Sequence, residues 1–417
     1  MVLDAPKGFA KKDFAVLDNG KITFKNIPDR GAIEIDISGS YVIPSLFDLH
    51  THIRCPGQEY KEDFEHVTRA AVAGGFTELC SMPNTKPVAD NEAIIDYIIL
   101  EGERYGRCRI HPFGSLTVGL QGEKLARMGL MKNKGAVGVT DDGMCIQDTS
   151  LMMKAMEYAH TFGLFIMDHA EDNYLKKGGF LNEGLVADKL GLKGIPEISE
   201  TIIIKRDIEI SRYLNIPVHI THVSSKRGAE LIMNAKKEGV KITFDITPHH
   251  LSFNEEACLG FNTNFKINPP LRTEKDRKFL IGLVREGKVD CLATDHAPHA
   301  KFEKEYPFDG APFGVSNLDT ALSLLYETLT IKEKIPFEKW VGLFGNAPRK
   351  LLKMQEKALK ENAVANFAVF DKNLEWKVTE KTLYSKGKNT PLLGRKLKGK
   401  VSFTFYEGAR VYPFGEK

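Results

Sequence analysis

Five short segments, far apart in the chain, each set a metal-ligating side chain at the end of a strand-like run. They are His50-Thr51-His52, Asp141-Asp142-Gly143, Asp168-His169-Ala170-Glu171, Thr221-His222-Val223-Ser224 and Thr294-Asp295-His296-Ala297-Pro298. Successive side chains of a strand alternate sides, so His50 and His52 share a face. Imidazole and carboxylate suit zinc. Four histidines and two carboxylates delivered by successive strands can build a two-metal hydrolytic centre. Asp295 could bind a metal and also take a proton from water, because a bound metal lowers the pKa of water to about 7. Asp141 or Asp142 could bridge two metals, although paired acids before Gly143 also fit a solvated turn.

A second group of residues suits the gripping of a polar substrate. Arg54 stands two residues beyond His52. A guanidinium clamps a carboxylate through two parallel hydrogen bonds. Asn84 ends Ser81-Met82-Pro83-Asn84, and its amide both donates and accepts. Asn268, in Ile267-Asn268-Pro269-Pro270-Leu271-Arg272, and His299 complete a polar ring.

These groups need a frame that brings them together, and the chain is long enough to supply one. Its 417 residues are 42% hydrophobic and 27% charged, an ordinary globular balance with material for a sizeable core. The formal net charge is only +3 and no basic block stands out, so a nucleic-acid or membrane surface is not implied. The six cysteines are scattered, with no C-x-x-C pair, which fits reduced thiols in a cytoplasmic protein. No signal peptide or membrane-spanning run is expected.

Short strands are expected at 14–17, 21–24 and 32–37, separated by turns at Asn19-Gly20 and Pro28-Asp29-Arg30-Gly31. Buried-type strands then read at 41–52, 76–84, 108–117, 136–142, 164–169, 218–223, 241–248 and 289–296. Helical periodicity lies between them, at 62–73, 91–105, 151–162, 200–214, 226–238 and 274–286. Strict strand–helix alternation predicts a closed (β/α)8 TIM-type barrel, whose active site lies at the C-terminal ends of its strands. Every ligand candidate falls at such an end. Strands return at 366–370, 401–406 and 410–412, with Glu407-Gly408 as a hairpin turn. The expected division is a small β-sandwich domain from 1–43 and 346–417 around a catalytic barrel at 44–345. The connections 176–197 and 298–313 read as working loops or lids over the mouth.

Several motifs resemble class I dihydroorotase, of the amidohydrolase superfamily. They are Pro56-Gly57-Gln58-Glu59-Tyr60-Lys61-Glu62-Asp63-Phe64, Gly74-Gly75-Phe76-Thr77, Met82-Pro83-Asn84-Thr85 and Thr140-Asp141-Asp142-Gly143. Thr247-Pro248-His249-His250, Asn268-Pro269-Pro270-Leu271-Arg272 and Ala293-Thr294-Asp295-His296-Ala297-Pro298-His299 continue the match. The resemblance implies one or two zinc ions per subunit, held by His50, His52, Asp142, His169, His222 and Asp295. It selects Asp142 as the bridge, with Asp141 behind it. It makes Asp295 general base and then general acid, and assigns substrate binding to Arg54, Asn84, Asn268, His299, Pro312 and Gly314. The implied reaction is the reversible interconversion of N-carbamoyl-L-aspartate and (S)-dihydroorotate in pyrimidine synthesis. A homodimer or a complex with aspartate transcarbamoylase is implied as the assembly.

The chain departs from the family pattern at Ser45, at Cys55 in place of an acid, at Ser316-Asn317 and at Asn366, none of them a ligand. Two other readings stand beside this one. A hydantoinase- or allantoinase-like amidase would bridge its metals through a carboxylated lysine. Here the fourth strand ends Val137-Gly138-Val139-Thr140-Asp141-Asp142, with no lysine. A catalytically silent assembly partner would have lost metal histidines, and none is lost.

Overall fold

The computed structural model describes residues 1–3, 8–25 and 33–415. Eight parallel strands form one sheet. They are Leu46–Thr51, Phe76–Ser81, Arg109–Gly114, Gly138–Val139, Phe165–Asp168, Val218–Ile220, Ile242–Ile246 and Cys291–Leu292, adjacent in that order. The first strand also meets the eighth. Thr51 pairs in parallel with His296, and His52 N donates to His296 O at 2.9 Å. The expected (β/α)8 barrel is therefore what forms. The strands are shorter than the apolar runs: His50 stays within the first strand, while His52, Asp142, His169, His222 and Asp295 lie just past the ends of theirs.

Helices cover the outside, and their starts are locally encoded. Asp63, Asn91, Asp148 and Ser225 each cap a helix N-terminus through the side chain, and Thr273 with Asp276 forms a capping box. Inside the barrel Phe47, Leu49, Cys80, Met82, Phe113, Met167, Cys291 and Ala293 make one packed floor. The pairing of the first two strands is irregular between Asp48 and Thr51. That is where the chain passes from floor residues to ligands, and such irregularities re-aim side chains beside active sites.

The chain ends build a six-stranded sheet. Its order is Ala409–Tyr412, Lys396–Tyr406, Phe367–Lys377, Tyr41–Pro44, Val2–Leu3 and Phe9–Ala10. A hairpin of Ala15–Val16 and Ile22–Thr23 packs on it, with Ile22, Val42 and Phe367 in one core. This is the small two-layered unit expected from both termini. The run 41–52 is two strands, since Pro44 pairs with Phe367 and Leu46 with Phe76. Ser45 lies between them, where its N–H donates to Asn366 O and its Oγ accepts from Thr77 Oγ1.

The turn expected at 28–31, and residue 32, lie outside the described residues. Residues 33–37 are irregular rather than a strand. Tyr41–Pro44 holds the position beside Phe367–Lys377, and Ile33 is left 82% exposed.

Asp48 is the buried fastening of the ring closure. Its carboxylate accepts from Thr294 N at 2.7 Å, from Thr294 Oγ1 at 2.6 Å and from Thr51 Oγ1. Asp48→Ala leaves those donors buried and unanswered, which should cost about 2–4 kcal/mol. Denaturant unfolding should show a lowered midpoint; a wild-type midpoint would show that the closure does not rest on Asp48.

Candidate metal centre

The ligand candidates converge on one carboxylate. Asp142 Oδ2 lies 3.4 Å from His50 Nε2 and 3.5 Å from His52 Nε2. Asp142 Oδ1 lies 3.6 Å from His169 Nδ1 and 3.5 Å from His222 Nε2. The two oxygens thus face two different histidine pairs, and each trio of groups is close enough to share a cation. Asp295 joins the first pair, with Oδ1 3.1 Å from His52 Nε2 and 3.6 Å from His50 Nε2. All six side chains are buried.

Asp141, the neighbour left open by spacing alone, turns away. One oxygen accepts from Leu116 N and Thr117 N at 2.8 and 3.0 Å, and the other from Thr117 Oγ1. Burial pushes its pKa up to about 6.

Partners behind the histidines fix which nitrogen faces the centre. His50 Nδ1 is 2.9 Å from Thr221 Oγ1, whose hydroxyl donates to Asp245 Oδ2 at 2.9 Å. His50 Nδ1 therefore carries the hydrogen and Nε2 the lone pair. His52 Nδ1 donates to Asn84 Oδ1 at 2.9 Å, and His169 Nε2 donates to Glu171 Oε2 at 3.1 Å. Asn84 thus also orients a ligand candidate, with its Oδ1 committed to His52. Thr221, Asp245 and Glu171 had no assigned part in the sequence reading. Glu171 was visible two residues after His169, and Asp245 as a charge inside an apolar strand.

The donor set fits a divalent cation pair. His50 Nε2 and Asp142 Oδ1 are buried without a hydrogen-bond partner. His169 Nδ1 and His222 Nε2 approach to 2.9 Å, two imidazole nitrogens aimed at a common point. The charges agree. Burial pushes Asp142 and Asp295 upward, but the surrounding histidines outweigh it and hold both well below the usual carboxylate range. Burial likewise opposes protonation of His50 and His169, yet Asp142 and its fellow carboxylates raise them to about 9 and about 10. The pocket calls for positive charge. Burial and the nearby Arg54 move His52 the other way.

The polar ring lies beside this cluster. Arg54 Nε donates to Pro298 O at 3.2 Å, and Arg54 Nη2 lies 3.5 Å from His299 Nε2. His299 Nε2 is also 2.9 Å from Phe313 O, and burial with neighbouring cations holds its pKa far down. Asn268 Nδ2 donates to Glu171 Oε2 at 2.9 Å, while its buried Oδ1 has no partner. Pro312 O and Gly314 O both accept from the buried Lys304 Nζ, at 2.8 and 3.1 Å. Arg54, His222 and Asp295 have φ of 59°, 41° and 45°. Left-handed backbone at non-glycine residues stores about 1–3 kcal/mol each and clusters at working sites.

The two long loops are built, not loose. The 176–197 connection carries a small ladder of Leu181–Asn182 with Gly194–Ile195, and Phe308 of the other loop packs with Leu181 and Val186. A distant segment braces the 298–313 loop. Asn389 Oδ1 accepts from His299 N at 2.8 Å and Asn389 Nδ2 donates to Gly314 O at 3.1 Å. Gly387 permits that approach, since a Cβ there would stand 2.8 Å from His299 N. Nothing in the sequence pattern pointed to Asn389.

Protons on His50 and His169 must leave before a metal can bind there. Their occupancy falls as pH rises, so metal affinity should strengthen from neutral pH toward about 9, the value to which His50 is raised. Calorimetry in buffers of different ionisation enthalpy should register proton release; uptake without release, at an affinity independent of pH, would contradict the arrangement.

A family model described as "Dihydro-orotase-like" matches residues 39–228. The chain is 42% identical over 403 residues to a protein of Caldicellulosiruptor saccharolyticus named dihydroorotase, covering 95% of this chain and 93% of that one. It is 41% identical over 416 residues to a dihydroorotase of Trichlorobacter lovleyi, covering 99% and 97%. Among solved structures, an L-hydantoinase (dihydropyrimidinase) from Arthrobacter aurescens superposes with a TM-score of 0.83 at 23% identity, over 96% of this chain and 92% of that one. That likeness shows the fold.

Proposed function

The chain belongs to the dihydroorotase family, and from that premise we propose that it is a class I, zinc-dependent dihydroorotase. It interconverts N-carbamoyl-L-aspartate and (S)-dihydroorotate, a step of pyrimidine synthesis. The observation that carries this reading is Asp142, one carboxylate with each oxygen facing its own histidine pair. His50, His52, Asp142 and Asp295 would hold one zinc, and Asp142, His169 and His222 the other. When bound, the ions supply a nucleophilic hydroxide at neutral pH and polarise the amide carbonyl under attack.

The protein side chains do the rest. Asp295, kept ionised by the histidines around it, takes the proton of the attacking water and returns it to the leaving ring nitrogen. Arg54, anchored through Nε on Pro298 O, pairs with the substrate carboxylate and orients the ring. Asn84 and His299 serve the same end of the substrate. Asn268 offers its unpartnered Oδ1 to a substrate N–H. Pro312 and Gly314 line the mouth, their carbonyls fixed by Lys304.

In this reading 44–345 carries catalysis, while 1–43 and 346–417 form a supporting domain that lends Asn389 to the mouth. The six cysteines, all free and buried, fit a cytoplasmic setting. A homodimer or a complex with aspartate transcarbamoylase is the assembly that goes with the family resemblance. The complete ligand set speaks against a silent partner, and Asp142 in place of a lysine speaks against a hydantoinase-type centre.

The zinc-loaded protein should turn over dihydroorotate and leave hydantoin and allantoin essentially untouched; the opposite preference would overturn the assignment. Asp295→Asn should lower kcat about 10²–10⁴-fold, with zinc largely retained by elemental analysis. Near-normal turnover in that variant would remove Asp295 from proton transfer.

A further inference from the structure

Thr247-Pro248-His249-His250 follows the seventh barrel strand, and the mechanism above uses neither histidine. The rings lie 4.7 Å apart but have different duties. His250 is committed to structure, with Nδ1 2.8 Å from Thr247 Oγ1 and Nε2 3.0 Å from Pro269 O. His249 is equally buried, 4% exposed, yet its Nε2 has no hydrogen-bond partner.

The tautomer of His249 follows from its other nitrogen. Nδ1 lies 3.4 Å from Asn317 Nδ2, and the same Nδ2 donates to Thr294 O at 2.7 Å. A carbonyl oxygen only accepts, so the amide cannot be turned over. Nδ1 is therefore the acceptor, and the neutral ring carries its hydrogen on Nε2. That single amide links the ring to Thr294, the residue before Asp295, so His249 stands one side chain away from the backbone that carries Asp295. It is outside the two ligand groups themselves. A buried N–H near the candidate centre that has no partner in the protein is free to donate to a bound ligand.

We propose that His249 is a further catalytic residue, whose Nε2–H donates a hydrogen bond to the carbonyl oxygen of the amide under attack. Negative charge develops on that oxygen, so the bond tightens in the transition state and acts on kcat. Asn317 is then a positioning residue, since its amide sets which nitrogen of His249 bears the hydrogen. The inference rests on the dihydroorotase reading.

The test uses zinc-loaded wild type, His249→Ala and His249→Gln, assayed in both directions with metal content measured. In His249→Ala, kcat should fall about 10²–10³-fold, with KM little changed and wild-type zinc. His249→Gln, which keeps a donor, should recover part of the rate, and added imidazole should partly restore the alanine variant. If the alanine variant does not fold, His249→Leu, which fills the space without a donor, decides in its place. Wild-type kcat in the folded, zinc-loaded variant would overturn the proposal, and so would a loss that tracks zinc content or falls on KM alone. Failure of the wild type itself to turn over dihydroorotate would instead sink the reading on which the inference stands.

Discussion

A carboxylate buried at a barrel mouth needs positive charge close by, and Asp142 receives it on two sides. Its oxygens face His50 with His52, and His169 with His222. Asp295 adds a second negative charge on the side of His50 and His52. The same carboxylates raise the pKa of His50 and of His169 against the opposing effect of burial. The arrangement makes sense as a holder of metal: every nitrogen that faces inward has its opposite edge, or its backbone, fastened elsewhere.

The fold supplies this convergence through one closure. Asp48 ties the first strand to Thr294, two residues past the end of the eighth strand, and His52 N reaches His296 O just beyond. The two fastenings flank Asp295 and bring it against His52, although 243 residues separate them. His296 itself turns outward. Its Nε2 lies 3.4 Å from Glu62 Oε2, and its Nδ1 accepts from Asn317 N and Leu318 N. The third histidine-rich stretch, 247–250, divides the same way, with one ring bound into the scaffold and one left open.

Much of this was legible in the sequence, for a physical reason. A barrel strand must be apolar along its length and release its polar residues at one end, so His50-Thr51-His52 and Thr294-Asp295-His296 mark both the strand end and the candidate site. Other features leave no local trace. Spacing could not choose between Asp141 and Asp142; the choice is made by Leu116, Thr117 and the histidines, which lie far away in the chain. The positive φ of Arg54, His222 and Asp295 is not marked by a glycine at any of the three positions. Asn389 braces the mouth from a segment with no periodic pattern. The apolar alternation at 33–37 reads as a strand, yet it is Tyr41–Pro44 that pairs with Phe367–Lys377, and 33–37 join no ladder.

The central claim is that one carboxylate separates two cations. Crystals of the metal-loaded protein, measured on both sides of the zinc absorption edge, test it directly. The account predicts two anomalous peaks flanking Asp142, one against His50 and His52 and one against His169 and His222. A map with no peak beside Asp142, or with zinc only at another cluster, would contradict it.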